Sequence, residues 1–186
     1  MLELSEIEEL ILARAKTPHF TAFHQFFLEN PEAIYLLIQL AFSDKKHPVP
    51  AYSAWLVVHI AKAKPQLLYK LQGRLEEGLL STKKHDVQRS LLVVLLHLPL
   101  RRQNEGNLLE LYFSIFQDHN LKVANRVYAL YHLKRMVKKY PELDAEVKAQ
   151  MSIIEELGEM KPALKVGIRN YLNVWPQLLG KAPERV

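Results

Sequence analysis

The chain contains no cysteine, only six glycines and only four aspartates. The absence of cysteine excludes disulfides, thiolate metal ligands and a cysteine nucleophile, and fits a reducing compartment. So few glycines against many Leu, Ala, Glu and Lys residues argue for helix and against a strand-rich fold. Long apolar runs are missing too: the longest, Leu91 to Leu100, is interrupted by His97 and Pro99 and is too short to span a bilayer. The first residues, MLELSEIEELILARA, are acidic where a signal peptide is basic and offer no small-residue cleavage site, so a cytoplasmic location is expected and no membrane association. No glycine-rich phosphate loop and no HExxH motif occurs. No catalytic residue, cofactor or metal is therefore expected, and the protein is not expected to be an enzyme.

What is present fits one folded domain over residues 1–186, of which 49% are hydrophobic and 24% charged. The net charge of +5 is unevenly spread. Residues 1–44 carry a net −5, residues 45–139 a net +11 and residues 140–186 a net −1. A basic middle between acidic ends suits an acidic partner, or serves solubility and long-range steering.

The chain repeats itself. Asp44 to Lys62, DKKHPVPAYSAWLVVHIAK, returns 38 residues later at Thr82 to Leu100, TKKHDVQRSLLVVLLHLPL. Lys45, Lys46, His47, Val49 and His59 recur as Lys83, Lys84, His85, Val87 and His97. In each copy a basic turn leads into a nearly all-apolar helix, and a period of this size marks stacked helical repeats. Two more junctions align on the same valine: Asp118 stands five residues before Val123, and Lys161 five before Val166. Arginine follows at Arg89, Arg126 and Arg169, with Ala51 in that place in the first copy.

Around these junctions the spacing predicts a two-helix N-terminal cap over residues 1–30, then helical pairs over 31–62, 65–98, 107–139 and 141–175, and a tail over 176–186. In the cap, Leu4, Ile7, Leu10 and Ile11 share one face, Ser5 is the expected cap residue, and Lys16-Thr17-Pro18 separates the helices. The second cap helix, about 18–29, carries Phe20, Phe23, Phe26 and Phe27 as a packing stripe. First helices of the pairs are expected at 31–43, 65–81, 107–117 and 141–158, three of them opened by Pro31, Pro65 or Pro141. Second helices are expected at 49–62, 86–98, 121–139 and 162–174, apolar nearly all round and hence enclosed. Pro99 to Gly106 reads as a wider turn.

An aspartate in the turn, a valine opening the second helix and an arginine soon after, as at Asp118, Val123 and Arg126, are similar to HEAT or armadillo-type repeats. The order of features, with Ala54-Trp55 in the first enclosed helix and Lys122-Val123-Ala124 before Tyr128, resembles a family of small bacterial helical-repeat proteins. Some members of that family are called adenylosuccinate lyase, but this chain has neither the length nor the glycine-rich signature loop of those lyases. The resemblance covers about residues 30–175 and implies an all-α, right-handed α–α superhelix of about four HEAT-like pairs behind the N-terminal cap. Thr82 and Lys161 depart from the pattern where aspartate stands, and Ala51 where arginine stands.

Several clusters suit chemistry. Stacking brings Lys45, Lys46 and His47 toward Lys83, Lys84 and His85, which fits an anion or phosphate backbone; the expected role is nonetheless to keep an apolar array solvated. Two histidines are too few for a metal. His59 and His97 read as satisfied or edge histidines. Arg89, Arg126 and Arg169 can form a ladder for phosphates or carboxylates, but the expected role is pairing with a turn aspartate, because a buried guanidinium needs a partner. Lys134, Arg135, Lys138 and Lys139, near Tyr128, Tyr131 and Tyr140, are the densest basic cluster. They suit nucleic acid, with a solvated, dipole-complementing helix end as the expected alternative. Trp55 and Trp175 have no aspartate near them in sequence, so the aspartate-among-tryptophans arrangement of a HEAT-like DNA glycosylase has no local sign here and would need apposition at long range.

Together these features point to a non-catalytic protein-interaction scaffold or adaptor that presents its second-helix surface to another protein or peptide, an acidic partner being one candidate. A nucleic-acid-binding module using the basic middle is the alternative. The sequence leaves the oligomeric state open.

Overall fold

The computed structural model describes residues 2–15 and 23–173, and it divides into two units between Leu98 and Pro99. Among the described residues there is helix and no strand. The expected proline-marked separation at Lys16-Thr17-Pro18, Phe20 of the second cap helix, and Trp175 lie outside them.

The first unit opens with α1 (Leu4–Arg14), which buries Ile7 and Ile11. Its cap is Glu3 rather than the expected Ser5: the Glu3 N–H donates to Glu6 Oε2 at 2.7 Å and closes a capping box. The short α2 (His24–Glu29) buries Phe27, whose ring meets those of Phe23 and Phe26 at 5.3 and 5.2 Å between centroids. Both helices pack on the first pair, α3 (Ala33–Phe42) and α4 (Val49–Ala63). Pro31 lies in a turn ahead of α3 and not in its first turn, where Ala33 stands.

The next first helix is not one α-helix over 65–81. Pro65–Leu71 is a 3-10 segment, and α5 (Gln72–Ser81) follows it. The side-chain spacing explains the division. Pro65, Leu68 and Leu71 turn inward every third residue, which is the 3-10 period, whereas Gln72, Leu75, Glu76 and Leu79 follow the α period. Gly78 faces the phenyl ring of Phe42, so a Cβ there would overlap the ring and α5 could not seat on α3 as it does. The guanidinium of Arg74 also lies over the Tyr35 ring and donates to its hydroxyl at 2.8 Å. Second helix α6 (His85–Leu96) packs on both α5 and α4.

In the second unit α7 (Glu105–Gln117) begins two residues before its expected start and takes in Gly106, because Asn104 turns the chain at φ 61°. Asparagine tolerates that left-handed conformation. α8 (Val123–Lys139) packs on α7 and on α10 (Pro162–Leu172). Here too proline opens a 3-10 turn, Pro141–Leu143, and α9 (Asp144–Glu156) follows. Gly167 lets α10 approach closely, since a Cβ there would stand 3.2 Å from the Val127 methyls.

The enclosed second helices are real in three of four pairs. No residue is exposed from Val49 to Ala61, from Asp86 to Leu98 or from Val123 to Val137. Each fully buried Leu or Ile in them contributes roughly 1.5–3 kcal/mol of burial. α10 departs from the pattern and ends its helix at Leu172. Lys165, Val166, Arg169 and Leu172 are exposed, because no further helix among the described residues covers that side.

Candidate functional site

The two KKH turns are joined, though not as a ring of free charges. Lys84 donates from Nζ to the Ser43 carbonyl at 2.5 Å, so the second turn holds the end of α3 in the first pair. Lys45 pairs with Glu8 of α1 at 3.0 Å, and the His47 ring lies edge-on to Tyr52 at 5.9 Å. Lys46, Lys83 and His85 are exposed. Of the six residues, then, two already hold neighbouring elements.

The aspartate of the turn works within its own junction. Asp118 Oδ1 accepts from the Asn120 N–H at 2.9 Å, and Thr82 Oγ1 accepts from the Lys84 N–H at 3.2 Å in the corresponding place. Threonine thus replaces aspartate with the same local contact. Arg126 consequently has another partner than the turn aspartate. Its guanidinium, 2% exposed, donates from Nε to the Phe116 carbonyl at 2.9 Å and pairs through Nη2 with Glu159 at 3.2 Å. Arg89 stands 4.0 Å from Asp86, one turn earlier in the same helix, and Arg169 is exposed. Arg126 therefore ties α8 to the end of α7 and to the turn after α9, and does not offer itself to a ligand.

The densest basic cluster is divided in the same way. Lys134 is buried and donates from Nζ to the carbonyls of Asn170, Tyr171 and Asn173 at 2.6, 2.7 and 2.7 Å. One ammonium, with its three donors, satisfies the open end of α10. Burial, and then the charge of Lys138, lower its pKa. Lys139 pairs with both oxygens of Glu105 at 2.6 and 2.9 Å, and Tyr140 donates to the same carboxylate at 2.8 Å. Burial also lowers the pKa of the half-buried Arg135 guanidinium, which remains charged. Lys138 is exposed.

Other side chains, not all weighed from the sequence, give the second helices their surface. In the first unit Tyr52, Trp55 and His59 are half-buried along α4, the Trp55 and His59 rings meet at 4.2 Å, and His24 of α2 faces His59 at 5.5 Å. Burial first, then the charges of His24 and Lys62, lower the His59 pKa. His97 is the residue that ends α6, whereas His59 lies inside α4. In the second unit Tyr128 and Tyr131 are half-buried along α8, their rings 6.3 Å apart, and Asn170 of α10 donates to the Tyr131 hydroxyl at 3.1 Å. The signal was the spacing of three and four residues between aromatics in otherwise apolar helices, which also describes a core stripe.

Between α7 and α9 an open cleft of about 550 Å³ is lined by Glu110, Phe113, Ser114, Gln117, Asp118 and Glu146. Among the described residues no three His, Asp or Glu side chains are grouped to hold a metal, and no helix is long and apolar enough to cross a membrane.

Comparison with known proteins agrees with this architecture. A search of curated proteins and of solved structures gives no match. The family model described as a HEAT repeat domain matches residues 11–174, most of the chain. The match spans the helical pairs of both units, and the chain belongs to the HEAT repeat domain family.

Proposed function

We propose that the chain is a non-catalytic protein-interaction module that receives a partner on its second-helix surface. HEAT repeats commonly serve as interaction scaffolds, and stacked helical pairs present extended surfaces. The observation that carries the reading is the aromatic row on the second helices of each unit. Tyr52 and Trp55 on α4, and Tyr128 and Tyr131 on α8, are half-buried, so each of these second helices keeps a strip of large aromatic side chains that solvent still reaches. Tyr, Trp and Arg dominate the binding energy of protein interfaces. The nucleic-acid alternative is less favoured, since Lys134 is buried on the carbonyls that end α10 and the exposed Lys139 is already paired with Glu105.

The test is to immobilise the full chain, capture from lysate, and identify what stays bound at near-physiological salt with and without nuclease. A protein retained after nuclease, and lost with Tyr128→Ala at unchanged helicity, supports the module. Release by nuclease, together with tight binding of labelled RNA or DNA at that salt, would establish the nucleic-acid alternative instead.

A further inference from the structure

Charge in the second unit is sorted by helix. α8 and α10 carry seven Lys or Arg side chains and no Asp or Glu, whereas α7 and α9 carry six Asp or Glu and one lysine. Three of the seven cations already have partners: Arg126 with Glu159 and Lys134 with three carbonyls inside the fold, and Lys139 with Glu105 at the surface. Among the other four, Lys165 and Arg169 are exposed on α10 and form no ion pair with the described residues.

Apolar and aromatic surface lies beside them. Val166, between the two cations in sequence, is 44% exposed, although the aligned Val49 and Val87 are buried. The close approach of Gly167 to Val127 and the Asn170–Tyr131 hydrogen bond set this turn of α10 against the tyrosine row of α8. Such a face combines anchoring side chains with a fixed positive field, and it has no anionic group of its own helices to compensate it.

We propose that the α8–α10 face binds an acidic segment of a partner protein carrying an apolar or aromatic anchor. The anchor rests on Tyr128, Tyr131 and Val166, and the carboxylates meet Lys165 and Arg169. This rests on the reading of the chain as an interaction module and names the chemistry of its partner. A nucleic-acid backbone fits less well, because following one requires a row of available cations, and three of the seven here are spent.

The experiment pans a random displayed peptide library against the full chain at near-physiological salt. Enriched sequences are then made as fluorescein-labelled peptides and titrated by anisotropy. They are expected to be rich in Asp and Glu around a Phe, Tyr, Trp or Leu. The double variant Lys165→Glu/Arg169→Glu and the variant Val166→Glu each weaken binding by about tenfold or more, at unchanged helicity. Glu110→Gln on α7 leaves binding unchanged. Enriched peptides that are neutral or basic, or that bind both variants as well as the parent, overturn the acidic-partner proposal while the interaction reading stands. Failure to enrich any peptide overturns both, and tight binding of a labelled oligonucleotide at the same salt would give the face to nucleic acid.

Discussion

The ammonium of Lys134 lies 2.7 Å from the carbonyl oxygen of Tyr171, thirty-seven residues further along the chain. With its contacts to Asn170 and Asn173, it supplies from α8 the donors that the last turn of α10 lacks. Lys134→Met keeps the apolar stem but leaves three carbonyls without that donor. A buried polar group left unsatisfied costs about 1–3 kcal/mol, so urea unfolding is expected to show a loss of about 2–4 kcal/mol. A loss below about 0.5 kcal/mol, the usual size of a surface substitution, would show that the contact does not hold the helix.

Arg126 is the second such tie. Arg126→Ala leaves Glu159 and the Phe116 carbonyl without their partner, and breaking a buried pair from one side costs about 3–5 kcal/mol. Arg126→Lys keeps the charge but cannot reach both partners at once, so it is expected to fall between alanine and the parent in denaturant midpoint. A lysine variant as unstable as alanine would contradict this.

The Glu105–Lys139 contact gives a pH dependence with two limbs. Partial burial pushes the Glu105 carboxyl up, but hydrogen bonds from Lys139 and Tyr140 and the charges of Lys139 and Arg102 outweigh it and hold the group below its usual range. Hydrogen bonds to Glu105 and Tyr140 raise the Lys139 pKa. A carboxylate with a depressed folded pKa stabilises the fold above its unfolded pKa, and that stability is lost as pH falls through the folded value. A lysine with a raised pKa stabilises below its unfolded pKa and loses the effect as pH rises through the folded value. Glu105→Gln is therefore expected to be less stable than the parent near neutral pH, with the difference closing toward about pH 3. Urea unfolding at both pH values checks it.

His59 should titrate below an ordinary histidine, because burial and the neighbouring His24 and Lys62 disfavour its charged form. Its depressed pKa makes the associated stability present above the unfolded pKa of 6.5 and lost as pH falls through the folded value. His24→Ala removes the second of these causes and is expected to move the His59 pKa upward. The ring C–H shifts in an NMR titration report it, and an unmoved pKa would mean that the two imidazoles do not interact.

Much of the architecture was legible because it is periodic. The twin KKH turns and the valine five residues after Asp44, Thr82, Asp118 and Lys161 placed the second helices, and α4 and α8 start at that valine. Local variations were harder to see. Pro65, Leu68 and Leu71 differ by three residues where an α-helix alternates three and four, a small signal beside the proline that suggested an ordinary helix start. The partners of the candidate residues were harder to read for another reason. Lys134 belongs to the inward stripe that continues from Arg126 through Leu130 in steps of four, so its burial could have been read. Its acceptors could not, because they are backbone carbonyls that any residues at the end of α10 would provide. Arg126 followed the same rule: the turn aspartate was committed locally, and the true partner, Glu159, lay beyond the motif.

The sorting of charge in the second unit has a consequence before any contact is made. With cations gathered on α8 and α10 and anions on α7 and α9, charges of opposite sign sit on different helices of this unit. A charged molecule diffusing toward it experiences a torque as well as an attraction and tends to arrive already turned toward the matching side. The effect belongs to the rate of encounter rather than to the lifetime of a complex, and dissolved salt weakens it within a Debye length of about 8 Å at physiological ionic strength.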